Sequence, residues 1–475
     1  SCIIAHLDNM LLSTTNRFLS FSRNSLPLTY CQYVQKCKYW KMSQMYPVTT
    51  SELDKINKDG CRSQKLMIAN HIIHGASAGS FHLLPWGTRA IEKLNKLIDQ
   101  ELQAVGCQKI TMPCLAPGEQ WKSSGRWEEM GSELLKLKDR KNADLCLAPT
   151  HEEAVTSLVA SLPDLSYKSL PLKWYQIGRK FRDEMRPKNG LLRCREFEMK
   201  DLYTFDADEA GSHITYEKIL QTYQTIFERL GLSKNYVQVR GDVGAMGGSM
   251  SHEFHLTSHI GEDSLVICSE CGEGFNNEMF ANMEKPCCER INCSEALLVE
   301  HKGIEVAHAF ILGTKYSEVF QAKYKDSQQK SRILHMGCFG IGVTRLLAAA
   351  IEVLSTDDAI QWPTNIAPYQ ICVIPQKDGH QADIAMANSE ALIKELEKIP
   401  HLRNEIVMDD RTKSSIGKRM QHLRKLGIPH IVIAGRAAQE SPPGFEVQDL
   451  TNNTTGRFSM EETLQRLSKI ETINL

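Results

Sequence analysis

The sequence predicts an α/β chain of the α+β kind, with a larger domain on an antiparallel sheet flanked by helices and a small mixed α/β domain after it. Three observations predict this. Apolar residues recur at helical spacing over 91–105. Two β-type runs, 172–183 and 195–205, are separated only by the short loop 185–192 with Pro187 and Gly190, which makes them antiparallel neighbours. After Pro363, short apolar runs alternate with helical stretches. The composition agrees: 475 residues, 42% hydrophobic and 24% charged, are an ordinary globular mixture with room for two to four domains. A disordered or collagen-like chain is excluded. No run of about 18 apolar residues is present, so no membrane-spanning helix is expected. With a formal net charge of −1, any nucleic-acid partner must be met by local basic patches.

Residues 1–50 carry Arg17, Arg23, Lys36, Lys38 and Lys41 against the one acid Asp8, together with many hydroxyls. Basic, hydroxyl-rich and acid-poor composition is that of an organellar transit segment, with a disordered tail as the plainer alternative. Fifteen cysteines without a secretory signal are expected as thiols or metal ligands in a reducing compartment.

From residue 81 the order of elements is legible. Ile91, Leu94, Ile98, Leu102 and Val105, with Pro85 before and Gly106 after, predict an amphipathic helix. A short strand over 109–112 ends at Pro113. Thr150 and Glu153 have the spacing of a capping box opening a helix over 153–162. Ile219, Tyr223, Ile226 and Leu230 mark a helix closed by Gly231. Past a boundary near 365–368 come a strand at 369–375, a helix at 382–398, a strand at 405–408, a helix at 416–426 and a strand at 428–434.

Chemistry concentrates in two segments. Lys180-Phe-Arg-Asp-Glu184 and Arg193-Cys-Arg-Glu-Phe197 flank the hairpin loop, which adds Arg186 and Lys188. Arginine forks on adjacent strands suit a polyphosphate, and Phe181 or Phe197 offers a ring that could stack on a base. A solvated charged hairpin is the plainer alternative. The second segment is Gly337-Cys-Phe-Gly340-Ile-Gly342-Val-Thr-Arg345, running into an apolar helix over 346–354. Glycines admit close backbone approach and a helix N-terminus favours phosphate, while an arginine there opposes the dipole and calls for an anion.

Together, Ile110-Thr-Met-Pro113, the Arg182/Glu184 hairpin and the Gly340-Ile-Gly342 to Arg345 segment resemble the three signature motifs of class II aminoacyl-tRNA synthetases. Further motifs narrow this: His82-Leu-Leu-Pro85, Gly125-Arg-Trp127, Pro149-Thr-His-Glu-Glu153, Ser251-His-Glu-Phe254, Gly261-Glu-Asp263, Gly303-Ile-Glu305, His308 and Leu312-Gly-Thr-Lys-Tyr-Ser317. Over roughly 60–450 the chain resembles the bacterial-type prolyl-tRNA synthetases in their mitochondrial form. The resemblance implies a class II antiparallel-sheet catalytic domain at 60–364 and an anticodon-binding α/β domain at 368–475. It also implies a homodimer, with 91–105 and the strand ending at Pro113 at its interface, and import of the chain into the mitochondrial matrix.

Site roles follow from the same resemblance. Thr150 and Glu152 take the ring nitrogen of L-proline, and Arg182 takes its carboxylate and the ATP α-phosphate. Glu184, Arg193, Cys194 and Phe197 bind adenosine; Glu305 and His308 close the site; Arg345 meets the γ-phosphate; Cys338 lines the proline pocket. Arg182, Arg345 and Mg²⁺ position the attack, and no metal is held by the protein alone. The implied partner is tRNA(Pro). Departures are Ala148 and Ala307, where relatives have glycine, and Lys188-Asn189 in the hairpin loop. A synthetase for another amino acid and a catalytically silent binding subunit remain the alternatives.

Cys268-x-x-Cys271 with Cys287, Cys288 and Cys293 suggests a structural zinc, but the second half lacks a clean paired spacing, so free thiols in a surface insertion near 264–302 are expected. Between Asp263 and Gly303 lie about forty residues, below the ~50-residue floor of a domain, so the separate editing domain typical of bacterial relatives is not expected there.

Overall fold

The computed structural model describes residues 39–45, 60–163, 165–281, 298–473 and 475. Most of the expected transit segment, residues 1–38, lies outside these, as do Cys287, Cys288 and Cys293. Residues 39–475 pack as one unit.

Pro85 opens helix α1 (Pro85–Ala104) instead of merely preceding it, because its missing N–H is harmless at the first helical position. Ile91, Leu94, Leu97, Ile98 and Leu102 on this helix are each 4% exposed or less. A stripe of that width faces one neighbour only, and here it faces the core of its own chain. The expectation that this apolar face lies at a subunit interface is therefore corrected. The strand expected at 109–112 shrinks to Gln108–Lys109. Beyond it, the Met112 N–H is satisfied by the Gln176 side chain at 3.0 Å instead of by a ladder.

The expected capping box does not form. Helix α2 (Glu152–Ala160) starts at an N-cap of His151 with no side-chain cap. Thr150 and Glu153 have been drawn into a buried ionic cluster, described below.

The expected hairpin forms, toward one edge of the large sheet. Strands β1 (Leu172–Phe181) and β2 (Glu196–Asp206) pair antiparallel, Phe181 opposite Glu196. Helix α3 (Glu209–Arg229) follows, capped by the Asp208 side chain, and then β3 (Tyr236–Arg240), β4 (Met250–Thr257) and β5 (Asp263–Cys268). The long strand β6 (Leu298–Gly313) pairs with β5 along its first part, then lies between β4 and β7 (His335–Gly342). Strand β7 in turn pairs with β2. These strands, with Gln108–Lys109 and Gly274–Asn276, make a nine-stranded sheet. Helices α1, α3 and the apolar α4 (Val343–Leu354) cover one face. The other face carries the cavities.

The C-terminal part holds β8 (Ile371–Pro375), α5 (Ala382–Leu396), β9 (Ile406–Met408), α6 (Ile416–Leu426), β10 (His430–Ala434), β11 (Gly444–Asp449), β12 (Thr454–Ser459) and α7 (Met460–Leu467). Its sheet is parallel through β9, β8 and β10, then antiparallel. Trp40–Lys41 adds a parallel edge strand beside β9, and Ser43 donates to Asp410. Residues 39–45 thus belong to the folded body, not to one leader segment running to residue 50.

The sequence suggests a separate domain here, but the core is continuous across the boundary. Trp362, Tyr369, Leu423 and Leu426 belong to the same apolar cluster as α1, α3 and α4. Fully buried Lys93 of α1 pairs with Glu405 and donates to the Ala367 carbonyl at 2.8 Å. Arg89, one helical turn earlier, also reaches Glu405, at 2.9 Å. A buried pair of this kind fixes the docking geometry of the two halves more than it adds stability.

Candidate active site

Two adjoining cavities, of about 440 and 390 Å³, open on the free face of the large sheet. Arg182, Glu305 and Arg345 line both. The first also contains Glu184 and Arg193; the second contains Thr150, Glu152, Cys194, Phe197, His308 and Cys338. All eleven residues singled out from the sequence are thus brought to one composite site, from segments up to 195 residues apart (Thr150 to Arg345).

At the floor of the second cavity lies Glu152, fully buried at the start of α2. The Thr150 hydroxyl lies 2.7 Å from both carboxylate oxygens, and the Cys338 thiol donates to Oε1 at 3.1 Å. Arg126 Nη1 donates to Oε2 at 2.9 Å. Burial disfavours the charge, yet Arg126 and these hydrogen bonds outweigh it and hold the carboxyl below its usual range. Behind Thr150, the buried Tyr203 hydroxyl accepts the His151 N–H and donates to Asp201, each at 2.9 Å. Lys180 pairs with the same Asp201 at 2.7 Å. The pocket floor is therefore backed by a buried polar and ionic network centred on Tyr203 and Asp201.

Arg182 leaves β1 as the ladder ends, its N–H donating to the Arg195 carbonyl at 2.9 Å. Its side chain is about one-third exposed, 35%, with the guanidinium 5.4 Å from the centre of the Phe197 ring. Glu133, which no spacing in the sequence pointed to, approaches Arg182 at 3.9 Å. In the hairpin loop, Arg193 pairs with Glu184 at 2.9 Å and also with Glu262, which Lys188 reaches too. The bond from Arg193 keeps the Glu184 carboxyl below its usual range. Cys194 is buried and its thiol, pushed up to about 12 by burial, donates to the Gly190 carbonyl at 3.2 Å.

Across the cavity, register sets His308 of β6 opposite Glu253 of β4 and Gly340 of β7. His308 Nδ1 lies 2.9 Å from Glu305 Oε1, and Nε2 lies 2.5 Å from the Ser251 hydroxyl. Burial opposes the Glu305 charge, but His308 and Arg345 hold its carboxyl well below the usual range. Arg345, in the first turn of α4, donates to the carbonyls of Leu192 and Glu305 at 2.9 and 3.0 Å. The pairing between β6 and α4 thus aims the cation into the shared wall of both cavities.

The histidines in and just after the motif Ser251-His-Glu-Phe254 have protein partners. His252 bonds to Tyr216 at 2.9 Å, and His255 bonds to Glu253 at 2.8 Å. Cys268 is buried in β5, not on a surface insertion as expected. Among the described residues no group of three or more metal-ligating side chains converges.

A pocket floored by a buried carboxylate and joined to an arginine-lined cavity, on an antiparallel sheet, is the site of a class II synthetase core. Residues 135–354 match the class II tRNA synthetase core domain (G, H, P, S and T), and 370–470 match the anticodon-binding domain. The chain is 48% identical over 414 residues to the probable mitochondrial proline–tRNA ligase of Rattus norvegicus, covering 87% of this chain and 86% of the relative. It is 46% identical over 423 residues to that of Homo sapiens, covering 88% and 87%, and 34% identical over 421 residues to the proline–tRNA ligase of Ehrlichia chaffeensis, covering 86% and 95%. The chain belongs to the proline–tRNA ligase family. In fold it is similar to Giardia lamblia prolyl-tRNA synthetase in complex with prolyl-adenylate, with a TM-score of 0.69 at 19% identity, covering 88% of this chain and 77% of that one.

Proposed function

We propose that the chain activates L-proline with ATP to prolyl-adenylate and transfers the prolyl group to the 3′ end of tRNA(Pro) for mitochondrial protein synthesis. The observation that carries this is the second cavity: a buried ionised carboxylate, Glu152, with Thr150 beside it, on the same wall as Arg182. A protonated secondary amine offers two N–H donors, which one carboxylate and one hydroxyl accept. Arg182 stands where the two cavities meet, so one guanidinium can hold the amino-acid carboxylate and the α-phosphate it attacks. The chemistry requires no nucleophilic side chain: orientation and charge neutralisation by Arg182 and Arg345 supply the catalysis.

Stacking against Phe197, with Arg193 and Glu184 at the cavity rim and backbone contact at Cys194, would bind adenosine. Mg²⁺ fits this donor set: Glu305, an ionised carboxylate open to both cavities, is the hard oxygen ligand it would take while the ion neutralises the phosphates. His308, fixed by Glu305 and Ser251, would close the proline end.

The C-terminal domain would read the anticodon of tRNA(Pro). The basic, acid-poor composition of 1–38, with Arg17, Arg23, Lys36 and Lys38 against Asp8, and the mitochondrial relatives support import into the matrix. A reporter fused to residues 1–45 should then enter mitochondria. A homodimer is supported by the outer face of the sheet Leu115–Pro117, Asp144–Leu147, Lys136–Lys138. Ala116 and Cys146 point inward, so alternation turns Leu115, Pro117, Leu137, Leu145 and Leu147 outward.

ATP–pyrophosphate exchange run with each of the twenty amino acids tests the reading. Exchange should depend on proline, and a profile led by another amino acid would overturn it.

A further inference from the structure

Arg126 borders the second cavity without being among the residues expected there from the sequence. Gly125, at φ 83°, turns the chain so that Arg126 enters the protein next to Trp121 and Tyr316, whose ring centres lie 5.0 and 5.9 Å from its guanidinium carbon. It is 3% exposed and borders the second cavity. Its Nη1 lies 2.9 Å from Glu152 and 3.2 Å from Glu153, and its Nε has no hydrogen-bond partner among the described residues. Glu153 is itself 1% exposed, with the Ser124 hydroxyl donating to it at 2.8 Å.

Two buried carboxylates therefore share one guanidinium. Buried charges are tolerated when paired, and here the pairing is one cation short. Burial, with Glu152 beside it, holds the Glu153 carboxyl above its usual range despite Arg126. The second cation has an obvious point of entry, since Glu152 faces the cavity and Glu153 does not.

We propose that Arg126 and Glu153 set the charge of the amine pocket. With Glu152 they form a cluster of net charge −1 that a substrate's secondary ammonium completes, and Arg126 serves as the positioning residue for the Glu152 carboxylate. This rests on the proline reading above and extends it from the contacting pair to the residues that tune it. The cluster selects for a cationic ring nitrogen by its charge, and the hydroxyl of Thr150 only orients that nitrogen. Arg126→Met would leave the cluster at −2 and Glu153→Gln at zero, whereas the two together restore −1.

The experiment is proline-dependent ATP–pyrophosphate exchange on the wild type, Arg126→Met, Glu153→Gln and the double variant, with KM for proline, KM for ATP and kcat measured separately. Each single substitution should raise KM for proline roughly tenfold or more, the size of a lost charge-assisted contact. KM for ATP should stay within about threefold, because the nucleotide residues lie outside the cluster. The double variant should bind proline better than either single variant, a sign reversal that a merely structural role does not produce. A double variant equal to or worse than the poorer single, or one that fails to fold, overturns the proposal. So do single variants with unchanged KM for proline. If Arg126→Met does not fold, Glu153→Gln against the double variant carries the comparison alone. A wild type without proline-dependent exchange would instead sink the proline reading.

Discussion

The Cys338 thiol donates to Glu152 Oε1 across 3.1 Å, tying the middle of β7 to the first turn of α2 over 186 residues of sequence. It is one of several donors to a carboxylate that keeps its remaining capacity for a ligand. Removing it in Cys338→Ala should raise KM for proline about two- to tenfold, matching the ~0.5–1.5 kcal/mol net worth of one hydrogen bond, with kcat little changed. Burial, and then the charge of Glu152, push this thiol far up, so thiolate is scarce. Iodoacetamide at pH 8 should label half-buried Cys114 long before Cys338 in the native protein. Equal labelling in peptide mass spectra would contradict the pairing.

Arg182→Ala should abolish adenylate formation while leaving the fold intact. Its protein contacts are weak, a 3.9 Å approach to Glu133 and a ring contact with Phe197, whereas the proposed ligands supply two anions. Two charge-assisted contacts at ~1.5–3 kcal/mol each imply a loss in exchange rate of roughly a hundredfold or more. Exchange within tenfold of wild type, with an unchanged unfolding transition, would remove Arg182 from the site.

His422 should make the C-terminal domain acid-labile. Burial and then Arg411, 3.0 Å from Nδ1, lower its pKa from 6.5 to about 4. The folded value lies below the unfolded one, so the unfolded chain takes up a proton first as pH falls. Stability from this group is complete above 6.5 and is lost toward 4. Between pH 7 and 5 the loss is about 1–2 kcal/mol. His422→Gln should flatten the urea-midpoint profile over that range, and an unaltered slope would reject the assignment.

The outward leucines of the small sheet should hold two copies together. Leu115 and Leu137 are 50% and 40% exposed in the single chain. Leu137→Glu buries a charge in any such interface and should convert a dimer into a monomer by light scattering. A wild-type monomer at micromolar concentration would remove the dimer from the reading.

Alanine should be misactivated and not cleared. β5 pairs directly with the start of β6, Asp263 opposite Gly303 and Cys268 opposite Leu298, so only residues 269–297 join the two strands. Alanine fits any pocket that admits proline, and each missing methylene costs it only ~1–3 kcal/mol. Alanine-dependent exchange should be measurable, and purified alanyl-tRNA(Pro) should decay at its spontaneous rate with the enzyme present. Faster deacylation would refute this.

The sequence by itself determined the local pieces. The hairpin 172–205 was legible because two β-type runs flank one Pro/Gly loop, and helix α1 because its apolar residues repeat every three or four positions. The resemblance carried by the ordered motifs was enough to name the eleven residues that the structure gathers at the two cavities. Only the tertiary structure decided how charge is balanced. Thr150 and Glu153 have ideal capping-box spacing, yet burial beside Arg126 outweighs a cap of ~1 kcal/mol, and the helix begins without one. Arg126 reaches Glu152 across 26 residues and Cys338 reaches it across 186, distances over which spacing in sequence carries no information. The same holds for α1, whose stripe could have faced a second subunit or its own sheet. Periodicity shows that a face is buried, and packing alone decides against what.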